Sequence, residues 1–221
     1  MNYFFLSRTE IFYGISEEEI KSVLLCLQSY EKDYDNKEII YRAGNHISEI
    51  GLVERGSVNI EEYDYWGNKS ILGNIKTGDI FGLSYAALPG VPLQSDVVAN
   101  EDCRILFMNI ERILTVCPMA CPYHTEFIRN MFRVAAKKNI LIHQRMKHIS
   151  AKSIRDKLIS YLSEQSLKQG SPQFTIAFNR KQLSEYLGVD RSALSNELSK
   201  MQRDGMLTYK KNTFTLKNLE Y

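Results

Sequence analysis

The sequence predicts an α+β chain in three parts: an N-terminal double-stranded β-roll of the jelly-roll type, one long helix, and a C-terminal winged helix-turn-helix. Three observations carry this. Short β-type runs broken by glycine fill residues 38–108, and a helical stretch without internal glycine or proline fills 123–149. Two capped amphipathic helices joined by a glycine turn then occupy 179–203.

The first 35 residues read as helical. Ser16 and Glu19 have capping-box spacing, in which hydroxyl and carboxylate each satisfy a backbone N–H of the first turn. Ile20, Val23, Leu24 and Leu27 then fall on one face. The β-type runs are 38–41, 49–54, 57–61, 70–72, 97–99 and 103–107. Gly44, Gly56, Gly67, Gly78 and Gly90 mark the turns between them. Several short strands at this spacing make a sandwich, barrel or roll.

The stretch from Tyr123 to Ile149 carries an apolar stripe of Phe127, Ile128, Met131, Val134, Ala135, Leu141 and Ile142. Lys138 and Arg145 interrupt it, so a full heptad is not sustained and the C-terminal half should pair weakly. A helix too long for one small domain is expected to be half of a homodimer interface. Another amphipathic helix follows between Ser150 and Gly170, ended by Gln169-Gly170-Ser171-Pro172. The expected parts are 1–122, 123–149 and 150–221.

Composition sets the outer bounds. At 221 residues, 44% hydrophobic and 24% charged, the chain is an ordinary globular one, with room for one large domain or two modest ones. No apolar run nears the roughly 18–20 residues that span a membrane. The N-terminus lacks the basic leader and apolar stretch of a secretory signal, so a cytoplasmic location is expected. The net charge of +2 is unevenly placed. Residues 151–221 carry 12 Lys and Arg against 7 Asp and Glu, and residues 1–150 carry 16 against 19. A basic C-terminal third on an acidic body suggests a local polyanion contact.

The helix-turn-helix holds the most information. Asn179 and Gln182 cap a helix through Leu187, and Gly188 supplies the left-handed residue of the turn. Asp190 caps a second helix from Arg191 to Arg203, with Leu194, Leu198 and Met201 inward. Such a motif puts Arg191, Ser192, Ser195 and Asn196 into the major groove. Arginine can pair with the O6/N7 edge of guanine and asparagine with N6/N7 of adenine. Residues 206–216 read as a hairpin whose tip, Lys210, Lys211 and Asn212, suits a wing on the phosphate backbone. Arg180, Gln182 and Lys200 complete the expected DNA surface.

This order of parts resembles one family, the bacterial Crp/Fnr regulators, named for the cyclic-AMP receptor protein and the fumarate–nitrate regulator. Arg42-Ala43-Gly44, Arg55-Gly56-Ser57-Val58 and Thr77-Gly78-Asp79-Ile80-Phe81-Gly82-Leu83 look like the turns of its β-roll. The run from Leu183 to Asn196 looks like its DNA-reading motif, and the helix after Tyr123 like its dimerisation helix. The resemblance implies a DNA-binding transcription regulator with double-stranded DNA, a small-molecule effector and, as a candidate, RNA polymerase for partners. It departs from the cyclic-AMP-binding members at two places. They carry a Glu after the Phe-Gly pair, where Leu83 stands here, and an Arg-Ser or Arg-Thr pair for the cyclic phosphate. No Lys or Arg lies between Leu83 and Cys103. A buried phosphate would then be poorly compensated. An effector other than cyclic AMP is expected against Phe81, Gly82, Leu83, Ser84 and Tyr85, faced by Phe127 and Met131 of the long helix. An apolar lining suits a small uncharged or aromatic ligand.

Four cysteines, Cys26, Cys103, Cys117 and Cys121, make no disulfide framework. They lack the N-terminal cluster of the family's oxygen sensor, although Cys117 and Cys121 leave a redox- or metal-responsive regulator as the alternative. No attachment motif accompanies His46, His124, His143 or His148, so no cofactor is expected. No nucleophile–base constellation, metal-spaced cluster or Walker-type loop suggests an enzyme. A nucleotide-binding module acting on a partner protein would leave the helix-turn-helix unexplained.

Overall fold

The computed structural model describes residues 1–88, 90–114 and 122–217. Cys117 and Cys121, singled out above, lie outside them. The described chain divides into two compact units, Met1–Ala136 and Lys137–Tyr221.

The first unit opens with α1 (Tyr3–Leu6), a 3-10 turn (Glu10–Phe12) and α2 (Glu17–Cys26). The Ser16–Glu19 capping box forms as expected. Helix does not continue to residue 35: Tyr30–Tyr34 is a strand, β1. Its alternation is almost wholly polar, so the pairing partner decides its conformation and not its own apolar pattern. It runs antiparallel to β8 (Cys103–Asn109) from Tyr30↔Phe107 to Tyr34↔Cys103.

The other strands are β2 (Ile39–Tyr41), β3 (Glu49–Arg55), β4 (Ser57–Tyr63), β5 (Lys69–Lys76), β6 (Ile80–Phe81) and β7 (Asp96–Ala99). They form two four-stranded sheets, β1-β8-β3-β6 and β2-β7-β4-β5, which is the expected roll. Gly56 joins β3 to β4 at φ +80°, where a Cβ would stand 2.7 Å from the Asp102 carbonyl, so only glycine fits. Between the sheets pack Val53, Val58, Phe81, Val97, Ile105 and Phe107. On the outer face of the first sheet, Ile50, Leu52, Leu106 and Met108 pack with Phe12, Ile20 and Leu24. The short helices α3 (Leu83–Ala86) and α4 (Ile110–Leu114) sit in the connections.

Helix α5 (Pro122–Ile149) belongs to both units. In the first, Phe127, Met131 and Val134 are buried in the same cluster as α2, and the Asn130 amide donates to the Tyr13 carbonyl at 2.7 Å. The second unit contains α6 (Ile154–Gln169), β9 (Gln173–Thr175), α7 (Arg180–Leu187), α8 (Arg191–Arg203), β10 (Leu207–Lys210) and β11 (Thr213–Leu216). Its three strands make one sheet in the order β10-β11-β9, and its core joins Leu158 and Leu162 of α6 to Leu183, Leu194, Leu198 and Phe214.

The stripe read from the sequence resolves into two faces of α5. Phe127, Met131 and Val134 face their own unit. A second row, Ile128, Phe132, Ala135, Asn139, Ile142, Met146 and Ile149, alternates spacings of four and three through three heptads. Phe132, Ile142 and Met146 in it are more than half exposed, at 74%, 58% and 55%. In heptad terms Phe132, Asn139 and Met146 take the a positions. Lys138 and Arg145 fall beside this row and not within it.

Candidate nucleic-acid interface

Local sequence fixes the two helices of the motif. Asn179 Oδ1 accepts the Gln182 N–H at 3.0 Å, and Gln182 Oε1 accepts the Asn179 N–H at 2.9 Å. Gly188 ends α7 at φ +62°, a conformation that costs a side-chain-bearing residue more. Asp190 Oδ1 accepts the Ala193 N–H at 2.8 Å and the Ser192 hydroxyl at 2.5 Å. Those bonds, Ser192 first, hold the Asp190 carboxyl below its ordinary value. It stays an anion at the N-terminus of α8, where the helix dipole favours one.

Helix α8 buries Leu194, Leu198 and Met201 and leaves Arg191, Ser192, Asn196, Ser199 and Lys200 exposed, with Ser195 half-buried. Its hydroxyls are partly used. Ser192 donates to Asp190, Ser195 to the Arg191 carbonyl at 2.9 Å and Ser199 to the Ser195 carbonyl at 3.0 Å. Outward they offer lone pairs, while Arg191 and Asn196 carry exposed N–H donors.

The basic surplus of this unit is smaller at the surface than the sequence suggested, because several cations are turned inward. Arg180 Nη2 donates to the Lys211 carbonyl at 3.0 Å, and its guanidinium lies over Tyr209 and Phe214, at 4.8 and 5.1 Å. Burial lowers its pKa from the usual arginine value. Arg180 thus braces the wing, whose tip residue Lys211 adopts φ +56°. Arg155 on α6 reaches Glu197 at 2.6 Å and Asp204 at 2.7 Å, holding α8 from behind. Lys157 Nζ donates to the Leu187 carbonyl at 3.3 Å. Arg191, Lys200, Arg203, Lys210 and Lys211 are exposed on α8 and the wing. The side-chain oxygen of Gln182 is taken by the cap.

The expected effector residues are not brought together. Phe81 lies between the sheets, 3% exposed, with its ring edge-on to Tyr41 at 6.0 Å. Phe127 and Met131 are core residues of the other cluster, Phe127 against Phe12 at 5.0 Å. Of the expected effector residues on the roll, Leu83 packs against that cluster. Tyr85 instead lines a cavity of about 290 Å³ with His46, Ser48 and Val91. Sequence periodicity placed Phe127 and Met131 on an apolar face correctly, but could not say that the 3-10 turn at Glu10–Phe12 already packs on it. Asp96, in the segment without cations, accepts the Ala43 N–H at 2.7 Å. Cys103 is buried at the sheet interface, and burial pushes its thiol up to about 11, which keeps it protonated and inert. Among the described residues no group of three or more His, Cys, Asp or Glu could hold a metal, and no helix is long and apolar enough to cross a membrane.

Comparison with known proteins agrees with this division. Residues 31–118 match the cyclic nucleotide-binding domain family, and residues 156–221 match the Crp-like helix-turn-helix domain family. The regulatory protein HlyX of Actinobacillus pleuropneumoniae is 20% identical over 215 residues, covering 94% of this chain and 86% of its own. The transcriptional regulatory protein btr of Bordetella pertussis is 25% identical over 176 residues, 76% of this chain and 69% of its own. Among solved structures, OCPA-complexed CprK aligns with a TM-score of 0.65 at 16% identity, over 90% of both chains. A mutant of CooA from Carboxydothermus hydrogenoformans aligns at 0.56 and 21% identity, over 89% of this chain and 87% of that one. At these identities the structures speak for the fold.

Proposed function

The chain belongs to the Crp/Fnr family of DNA-binding transcription regulators, and from that premise we propose a homodimer that reads a two-fold related site and answers to a small effector other than cyclic AMP. Residues 1–122 serve as sensor, 123–149 as dimerisation helix and 150–221 as DNA-binding domain. The observation that carries the DNA reading is the bare polar surface of α8, with Arg191 and Asn196 exposed five residues apart over a closed leucine core. Arg191, Ser192, Ser195 and Asn196 meet base edges, while Lys200, Lys210 and Lys211 meet phosphates. Arg180 and Gln182 act behind them, on the wing and the cap.

Dimerisation is supported by the largely exposed heptad row from Phe132 to Ile149, which spans about 26 Å of helix. Two reading helices on such an axis suit half-sites about one helical turn apart, roughly 34–36 Å. The effector reading rests on Leu83, on the absence of Lys and Arg between Leu83 and Cys103, and on the Asp96 carboxylate within that segment. An anion there would meet a like charge and no cation from that segment. Sedimentation at micromolar concentration tests the dimer, and calorimetric titration tests the ligand. We expect a dimer that takes up no cyclic AMP at micromolar concentration. A monomer, or cyclic-AMP binding with a micromolar or tighter Kd, overturns the respective half of the proposal.

A further inference from the structure

Arg145 stands near the C-terminal end of α5, and its side chain leaves that helix to meet the end of α7. Its Nε donates to the Tyr186 carbonyl at 3.1 Å and its Nη2 to the Glu185 carbonyl at 3.2 Å. The guanidinium also lies 5.7 Å from the centre of the Tyr186 ring. These carbonyls belong to the last turn of α7, where a helix carries partial negative charge; the Glu185 carbonyl also accepts the Gly188 N–H at 3.3 Å. A planar fork can serve two adjacent carbonyls at once; an ammonium on a flexible stem cannot hold the same geometry.

A second anchor lies three residues on. His148 is 1% exposed, with Nδ1 2.9 Å from the Ser160 hydroxyl and Nε2 3.3 Å from the Glu164 carboxylate. Its ring packs edge-on against Tyr161 at 5.6 Å. His148 ties the end of α5 to α6, and Arg145 ties it to the first helix of the DNA-reading motif. Helices α7 and α8 share one buried core through Leu183, Leu187, Leu194 and Leu198, so whatever orients α7 orients α8.

We infer that Arg145 is a positioning residue for DNA recognition: by clasping the C-terminus of α7 it fixes the angle at which the dimer helix enters the reading domain, and hence the spacing of the two Arg191 side chains. This rests on the dimeric DNA-binding reading and adds to it the part that sets half-site spacing. Arg145 makes no base contact in this scheme. Its own side chain is largely exposed, so its removal leaves the core of the domain in place.

The test uses the full chain and three DNA duplexes: a selected two-fold site, the same site with one base pair inserted at its centre, and a single half-site. The parent should prefer the native spacing over the altered one by at least about tenfold. Arg145→Ala should lose most of that preference, binding the native site several-fold more weakly and the altered site no more weakly than the parent does. Its half-site affinity should be unchanged. Arg145→Lys should fall between. A dimeric Arg145→Ala protein that keeps the parent's spacing preference overturns the inference. So does an equal loss on the half-site, because that would make Arg145 a prop of the reading domain alone. A parent that binds no two-fold site would overturn the functional reading itself, which is a separate result.

Discussion

Gly51 and Phe81 form a cross-strand pair between β3 and β6 whose fit is close enough to predict a cost. A Cβ built on Gly51 would lie 2.8 Å from Phe81 Cε2 and nearer still to two other ring atoms. The ring cannot swing aside freely, because it is 3% exposed and its centre stands 6.0 Å from that of Tyr41. The Gly51→Ala change thus forces overpacking of the roll, worth about 1–3 kcal/mol. Replacing glycine in a strand returns roughly 0.5–1 kcal/mol by stiffening the unfolded chain. The net loss should be about 1–2 kcal/mol. Phe81→Leu, which removes ring atoms from the same space, should cost about 1–3 kcal/mol alone. The double variant should then be more stable than the sum of the two, by about 1 kcal/mol. Urea unfolding followed by far-UV circular dichroism measures all four proteins, with half-site DNA binding as an independent check that the C-terminal unit is intact. An unchanged midpoint for Gly51→Ala, or strictly additive costs, would refute the packing argument.

Two further predictions come from other parts of the chain. Asn139 occupies an a position of the proposed dimer seam, so Asn139→Leu should lower the dimer dissociation constant by at least about tenfold in sedimentation, whereas Lys138→Leu, beside the seam, should change it by less than about threefold. The two units should also respond to pH in opposite senses. Burial, then Glu31, raise the Glu54 carboxyl to about 7, so the folded roll keeps a proton that the unfolded chain releases above about 4.5. The stability of the roll should therefore fall as pH rises from 5 to 7, and Glu54→Gln should flatten that slope. His148 is held below its ordinary 6.5 by burial, so the unfolded chain takes up its proton first. The C-terminal unit should lose stability as pH falls through 6.5, and less so in His148→Gln. Scans of each unit's melting between pH 5 and 8 check both slopes.

The parts of the fold that were legible in the sequence are those decided locally. Asn179, Gln182, Gly188 and Asp190 act within four residues of themselves, and α7, its turn and α8 lie where those residues put them. The glycine-marked turns of the roll were legible for the same reason. Strand β1 was not, since Tyr30–Tyr34 has little apolar pattern and is held by β8, some 70 residues away. The long helix shows a second limit. Two apolar rows lie close together on one cylinder, and periodicity alone merged Phe127 and Met131, which are buried in the protein, with Leu141 and Ile142, which are exposed. The spacing of four and three from Ile128 to Ile149 was the signal that separates them. The cations show a third. An arginine suits a phosphate and a helix C-terminus equally, and the partners of Arg145, Arg155 and Arg180 lie 29 to 49 residues away, so only the folded chain reveals that these three are engaged with the protein itself.

The central claim, that α8 reads base edges through Arg191, is tested most directly by equilibrium binding of Arg191→Ala and the parent to a selected site and to random duplex at one fixed salt concentration. Loss of a bidentate contact to guanine should weaken the selected site by about 1–3 kcal/mol, relax the choice at one base pair of each half-site, and leave random DNA bound nearly as before. Equal loss on both duplexes would make Arg191 a phosphate contact and contradict the assignment of α8 as the reading helix through that residue.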